Sequence, residues 1–227
     1  MYRILPKQLV FVGFAWLVLG TLAFANLVQT FGLGMKWSGV PAIAWLVLNG
    51  LLWNPIWRWI WKKFPALNKW FPDLNGEWDV ELCSNWPRHV QVLDAAAGKG
   101  GPIDMRICPE GELAPLPPIK LRAEITQTWW SFEMTMHNPH GNTPIDRSDT
   151  ISVDPIRRKG LRPAGICYFY KQQNTTGNVS DDNEFYGAAR LTYDPKTDKL
   201  IGLTWTARMW QRAMNTGGPI TFTRANP

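Results

Sequence analysis

Two apolar runs open the chain, and a strict alternation of apolar and polar residues replaces them further on. Residues 8–35 and 37–57 contain no charged side chain. At about 1.5 Å of rise per residue, some 20 residues cross the roughly 30 Å of bilayer hydrocarbon, so each run is long enough to span. The pattern predicts helices over about 8–30 and 38–57, joined by a short turn around Gly32–Gly39 that carries only Lys36. From Asp73 onward the period is two: Trp78, Val80 and Leu82 share one face of an extended segment, with Asp79 and Glu81 on the other. Similar segments recur near 76–83, 119–127, 129–137, 148–154, 164–172, 184–193, 199–207 and 219–224, separated by turn chemistry such as Asn138-Pro139-His140-Gly141 and Asp194-Pro195-Lys196. Eight short strands with no long helical pattern between them predict an antiparallel meander closed into a β-barrel, which leaves no exposed edge; a two-sheet sandwich is the alternative. The fold class is therefore a transmembrane α-helical hairpin followed by an all-β soluble domain of about eight strands. Its parts are helices within 1–57, a linker over 58–72 and the barrel over 73–227.

Charge sharpens this division. All 18 acidic residues fall at or after Asp73, whereas Arg3, Lys7, Lys36, Arg58, Lys62, Lys63 and Lys69 precede it. The first 72 residues carry +7, and the remainder, with 17 basic against 18 acidic residues, carries −1. The pI of about 9.3 is thus a membrane-flank signal, not the mark of a DNA- or RNA-binding domain. Basic residues concentrate before the first helix and after the second, which places both termini and the barrel in the cytoplasm and makes the protein multi-pass. Arg3 and Lys7, ahead of an apolar stretch that reaches Ala23-Phe24-Ala25, also fit a cleavable signal peptide; the second segment would then still anchor the large domain inside.

Within the second segment Trp45, Asn49, Trp53, Trp57 and Trp61 recur every fourth residue, one stripe on a helix, with the tryptophans nearest the cytoplasm read as an interfacial belt. Asn49 and Asn54 place amides at bilayer depth, where they seek hydrogen-bond partners. Pro55 predicts a kink, and Gly13 and Gly20 give the first helix a small-residue face. These four residues, Gly13, Gly20, Asn49 and Asn54, are the candidates for assembly into a homo-oligomer, against packing of the hairpin on itself. Residues 58–72, RWIWKKFPALNKWFP, read as a basic, aromatic interfacial collar.

Candidate chemistry is sparse. Cys83, Cys108 and Cys167 are odd in number and widely spaced, and read as reduced thiols. His89, His137 and His140 lack metal-ligand spacing and read as surface residues, and no metal is expected. No nucleophile elbow, zinc-protease or phosphate-loop motif is present, and Asp181-Asp182 reads as a solvated loop pair, so a catalytic site and a cofactor are not expected. A long Gly- and Pro-rich connection over 84–118 has the length of a functional loop. A small barrel holding one compact ligand is the better general reading.

The segment from Leu74 to Leu82, continuing through Ser84-Asn85-Trp86, resembles the opening of the β-strand-rich domain in the two-transmembrane effectors of bacterial cyclic-oligonucleotide-based anti-phage signalling (CBASS). Residues 200–208, LIGLTWTAR, followed by 217–222, GGPITF, are similar to its closing strands. The resemblance implies an inner-membrane effector of abortive infection. A cognate nucleotidyltransferase makes a cyclic dinucleotide, the barrel binds it, and the helices oligomerise and disrupt the bilayer. Such a ligand needs stacking surfaces for bases and donors for phosphates. Thr206 and Arg208 are the expected polar contacts, Trp86, Tyr168 and Tyr170 the stacking candidates, and Arg162 and Arg190 further phosphate donors. The rival reading is a membrane-tethered, lipocalin-like carrier of a lipid or apolar ligand.

Overall fold

A computed structural model describes residues 7–30, 39–69, 71–141, 143–177 and 181–225. The chain divides into two compact units, Met1–Asp73 with Gln127–Ser131, and Leu74–Thr126 with Phe132–Pro227.

In the first unit, α1 runs from Lys7 to Thr30, and its Phe11–Thr30 stretch is long and apolar enough to cross a membrane. The expected second span departs from the sequence reading. Instead of one helix over 38–57 there are two, α2 (Val40–Leu52) and α3 (Asn54–Lys63), bent by 62° at Trp53. Pro55 cannot supply an amide hydrogen to α2, and Trp53 adopts an extended ψ of 135°, so the anticipated kink is a break. At about 1.5 Å per residue, the 13 residues of α2 reach only about 20 Å. The turn expected around Gly32–Gly39 lies outside the described residues. α1 and α2 pack on each other and bury Thr21, Ala25, Val40 and Ala44.

Beyond the break, the tryptophan stripe is replaced by a cluster. Trp57 is buried, its Nε1 donating to Asn54 Oδ1 at 2.8 Å, and its ring meets Trp61 and Trp129 edge to face. Trp57 is therefore a packing residue and not part of an exposed belt. The collar is ordered by Trp61 Nε1 donating to Phe71 O at 3.0 Å and by the Arg58–Asp73 ion pair at 2.9 Å.

The second unit is the barrel. Its strands are β1 (Gly76–Leu82), β2 (Ile119–Gln127), β3 (Phe132–His137), β4 (Ile145–Ile156), β5 (Gly165–Asn174), β6 (Glu184–Asp194), β7 (Lys199–Thr206) and β8 (Gly217–Arg224). They close in sequence order, with β1 antiparallel to both β2 and β8, which excludes the sandwich. The alternation places Trp78, Val80, Ile125, Ile166, Leu191, Leu200, Ile220 and Phe222 in a core exposed by no more than 2%. One end is sealed by Trp78, whose Nε1 donates to Leu74 O at 3.0 Å, with the Arg224 guanidinium 4.4 Å over its ring. Arg224 is itself held by Asp198 at 2.6 Å and Asn75 O at 2.9 Å.

The 84–118 connection is not a bare loop: it begins with α4 (Trp86–Ala96), which the sequence reading missed. Gln91 pins the rest, its amide bonding Glu112 O at 2.7 Å and Ala114 N at 2.8 Å. On the outer wall, Phe169, Ala188 and Trp205 are register partners across β5, β6 and β7. With Tyr186 and Leu203 they form a band in which the four large side chains are each about half exposed or more.

Gly202 lies where no side chain fits, since a Cβ there would stand 1.9 Å from Arg190 O and 3.0 Å from Leu191 Cα. Gly202→Ala is expected to destabilise the barrel by about 3 kcal/mol, the upper end for overpacking, read as a lower midpoint in chemical denaturation.

Candidate functional site

The inward face of β5 changes character along its length. Ile166, Tyr168, Tyr170, Gln172 and Asn174 all point inward, passing from aliphatic at the sealed end to amide at the other. The open end is rimmed by the end of β1 and the start of α4 (Leu82, Ser84, Trp86, Pro87), by Pro117 and Ile119, and by Thr143–Ile145. The ends of β5 and β7 and the starts of β6 and β8 complete it with Asn174, Phe185, Thr206, Arg208, Thr216 and Gly217. Together they enclose a cavity of about 320 Å³. Below it, around Met134, Ser148, Tyr168 and Gln172, only about 10 Å³ remains, room for one water at most.

The floor is a polar layer bonded within itself. Tyr170 OH and Thr204 Oγ1 lie 2.7 Å apart, Thr204 Oγ1 also donates to Ala188 O at 3.2 Å, and Gln172 Nε2 donates to Asn174 Oδ1 at 2.9 Å. Thr206 and Thr216 join their hydroxyls at 2.7 Å across the β7–β8 opening. On the rim, the Arg208 guanidinium lies 4.4 Å over the Trp86 ring and bonds Asp181 through both arms, at 2.8 and 2.5 Å. The pair is largely withdrawn from water, with side-chain exposures of 13% and 7%. Asp182 Oδ2 accepts from Met209 N at 2.6 Å. α4 is fixed over this edge by Asn85, whose Oδ1 accepts from Gly217 N at 2.9 Å, and by His89 Nε2, which bonds Asn215 O at 2.9 Å.

Four of the expected ligand residues, Thr206, Arg208, Trp86 and Tyr170, meet at this mouth. Trp205 faces outward while Thr206 and Arg208 line the cavity, as strand parity required. Three do not meet there. Tyr168 shares the inward face but lies beneath, its ring tilted 44° to that of Tyr170 at 5.7 Å. Arg162 sits in the β4–β5 hairpin, past the start of β5, while the mouth is at the end of β5, roughly 30 Å away at about 3.3 Å per residue. Arg190 is exposed on the outside of β6, because Ala189 and Leu191 on either side take the inward positions. Asp181, Asp182 and His89, read as surface residues, are instead the fasteners of the rim. Gln172, Asn174, Thr204 and Thr216 were missed, although three of them share a strand face with Tyr170 or Thr206 at the two-residue period.

The assembly candidates have local surroundings. Asn49 Nδ2 donates to Trp45 O at 2.8 Å, one turn back in its own helix, and Asn54 is engaged by Trp57, so both amides have partners without a neighbouring helix. Gly13 and Gly20 lie off the buried face of α1, and a Cβ at either would meet nothing within 4 Å.

A closed up-and-down barrel, sealed at one end and open at the other onto a polar-floored cavity, is a small-molecule-binding architecture, here carried by a chain with an N-terminal membrane-length helix. The chain is similar to CD-NTase-associated protein 15 of Escherichia albertii, 26% identical over 171 residues that cover 74% of this chain and 71% of the relative. The resemblance read from the opening and closing strands is thereby borne out. No protein-family model matches the chain.

Burial pushes the Tyr170 hydroxyl up to about 12 from an ordinary value of 10, against an opposing hydrogen bond from Thr204. Burial, then the neighbouring Tyr170, raises Tyr168 well above its ordinary value. The fold thus holds the neutral phenols, so their contribution is complete below pH 10 and is lost as pH rises toward 12. Melting temperature is expected to fall over that interval. Tyr170→Phe should reduce the slope, at a cost near 1 kcal/mol at neutral pH from the lost Thr204 bond.

Proposed function

We propose that the chain is a membrane effector of bacterial anti-phage defence, gated by a cyclic dinucleotide that binds at the open mouth of the barrel. The observation that carries this reading is the stacking of Arg208 on Trp86 above a cavity floored by Tyr170, Gln172, Asn174, Thr204 and Thr206. Such a rim offers an aromatic platform for a base and a guanidinium for a phosphate. A cavity near 320 Å³ is at the small end of ligand pockets and suits one nucleoside half, leaving the other at the rim beside Trp86. The rival carrier reading draws on the apolar side of the same cavity, lined by Leu82, Pro117, Ile119, Ile145 and Phe185. The relative's name, CD-NTase-associated, supports a cognate nucleotidyltransferase as the source of the ligand. The role assigned to the chain is binding and gating, without catalysis.

For the membrane part, we infer an inner-membrane location with α1 spanning and α2 returning as the second arm of the hairpin. α3, with its tryptophans beside Arg58, Lys62 and Lys63, has the composition of an interfacial helix. The barrel and both termini are cytoplasmic in this reading. Ligand binding favours a self-associated state, and assembly of the helices disrupts the bilayer. The outer band of Phe169, Tyr186, Leu203 and Trp205 supports self-association, since contiguous exposed apolar surface of this kind marks contact sites.

The full-length protein in detergent micelles, titrated with 3′,3′-cyclic dinucleotides of the four nucleobases, is expected to bind at least one. Arg208→Ala and Trp86→Ala should each weaken binding about tenfold or more while circular dichroism shows the barrel still folded, the size expected for losing one base stack or charged hydrogen bond. Co-expression with a cyclic-dinucleotide synthase should arrest growth, and expression alone should not; arrest in both would remove ligand gating. A separate expectation concerns the outer band: Leu203→Glu together with Trp205→Glu should abolish ligand-dependent oligomers in cross-linking while changing ligand affinity less than about twofold, as both side chains point away from the cavity. Oligomers that persist would place the contact elsewhere.

A further inference from the structure

The arginine best placed to hold a phosphate already holds a carboxylate. Asp181 approaches Arg208 with both oxygens, at 2.8 and 2.5 Å, and the pair is 13% and 7% exposed. That two-armed arrangement is one a phosphate also adopts on a guanidinium. The Trp86 ring covers one face of Arg208 at 4.4 Å, a second contact that holds the guanidinium at the rim. Asp182, next in sequence, is engaged with Met209 N at 2.6 Å, and Met209 has a left-handed φ of 47°. Two consecutive carboxylates thus clasp two consecutive residues after β7. A phosphate entering beside them meets no unbalanced positive charge unless Asp181 leaves.

We propose that Asp181 is a built-in counter-anion, and that its carboxylate position is the anion subsite of the mouth, taken over by one ligand phosphate when Asp181 withdraws to water. This rests on the reading of the mouth as a nucleotide site but concerns a separate residue and makes a separate demand. Exchange of one anion for another on Arg208 keeps the buried guanidinium paired throughout, which avoids the strong penalty of leaving it alone. The competing anion also lowers apparent affinity, because only the fraction of molecules with Asp181 displaced can accept a phosphate. Removing the negative charge at 181 should therefore tighten binding, the opposite of what loss of a positioning residue would do.

The test uses the full-length chain in detergent micelles and its Asp181→Asn, Arg208→Ala and doubly substituted forms, with two probes: the tightest-binding cyclic dinucleotide of the panel above, and inorganic pyrophosphate. Asp181→Asn is expected to bind each probe about tenfold more tightly than the unaltered chain, and the gain should vanish when Arg208→Ala is added. Unchanged or weaker binding by Asp181→Asn overturns the proposal, even where the unaltered chain binds a cyclic dinucleotide and the functional reading stands. An Arg208-dependent gain for pyrophosphate with no cyclic dinucleotide bound by any form would retain the anion subsite and sink the functional reading. Should Asp181→Asn melt early, the unaltered chain decides. On saturation with either probe, the Arg208 Nε and Asp181 carboxyl NMR resonances should move together, the latter toward its solvent-exposed value. Movement of Arg208 alone would overturn the exchange.

Discussion

The pairing of β1 with β8 is the constraint on which the rest of the structure depends. An eight-stranded meander left open would present two edges of unpaired amides and carbonyls, and closure satisfies both at once. β1 takes part on both sides, with Trp78 opposite Ala123 of β2 and Arg224 of β8, and Val80 opposite Leu121 and Phe222. The ladder does not stop at the strand end: Cys83 N bonds Pro219 O and Asn85 N bonds Gly217 O, each at 3.0 Å. Gly218 permits this approach, since a Cβ there would stand 1.9 Å from Cys83 O. The extension delivers Trp86 and the start of α4 to the rim, so the backbone seam that closes the barrel also builds one wall of the mouth.

Closure alone makes a cylinder; the two ends differ because the inward side chains differ. At one end, large apolar groups interdigitate under Trp78, and Arg224 covers its ring while keeping polar partners. At the other, hydroxyls and amides replace them, and each is tolerable only because it is bonded to another within the layer. Opening the layer would separate Tyr170 from Thr204, or Gln172 from Asn174, at the cost of breaking buried hydrogen bonds.

The barrel was legible from sequence because its signal is local: a period of two, bounded by turn residues, fixes both the strand and the face. Thr206 and Arg208 were named from the resemblance of 200–208 to the closing strands, with parity setting them on the face opposite Trp205, and applied to the flanks of Arg190 parity would have turned that residue outward. Depth is not encoded in parity, which is why Tyr168 and Tyr170 looked equivalent although one lies beneath the floor. α4 escaped notice because it is short, starts with Pro87 in its first turn and buries no residue completely, so it has little helical periodicity to read. The break at Trp53 was legible as a kink from Pro55, but its extent depends on Trp57 turning to Asn54 and packing against Trp129, a residue 72 positions away. Asp181 and Asp182 looked like a solvated loop because their partners, Arg208 and Met209, are 27 residues away in sequence, just past the far end of strand β7.

What can respond to a ligand follows from the same division. The strands are locked by closure, and the space around Met134, Ser148, Tyr168 and Gln172 below the floor amounts to only about 10 Å³. Side chains on the rim are different: Arg208, Trp86, Asp181, Thr206 and Thr216 are held by single layers of contact at the edge of water. A ligand shifts an equilibrium only through contacts that differ between its two states, and here such contacts are confined to that edge. Under the proposed gating, the residues within reach of a ligand at the mouth are those joined by the Arg208–Asp181 pair, the Trp86 ring over Arg208 and the Thr206–Thr216 hydroxyls. Two of these contacts, the Asp181 pair and the Trp86 stack, converge on Arg208, so in the proposed gating a ligand that engages that one guanidinium acts on both partners at once.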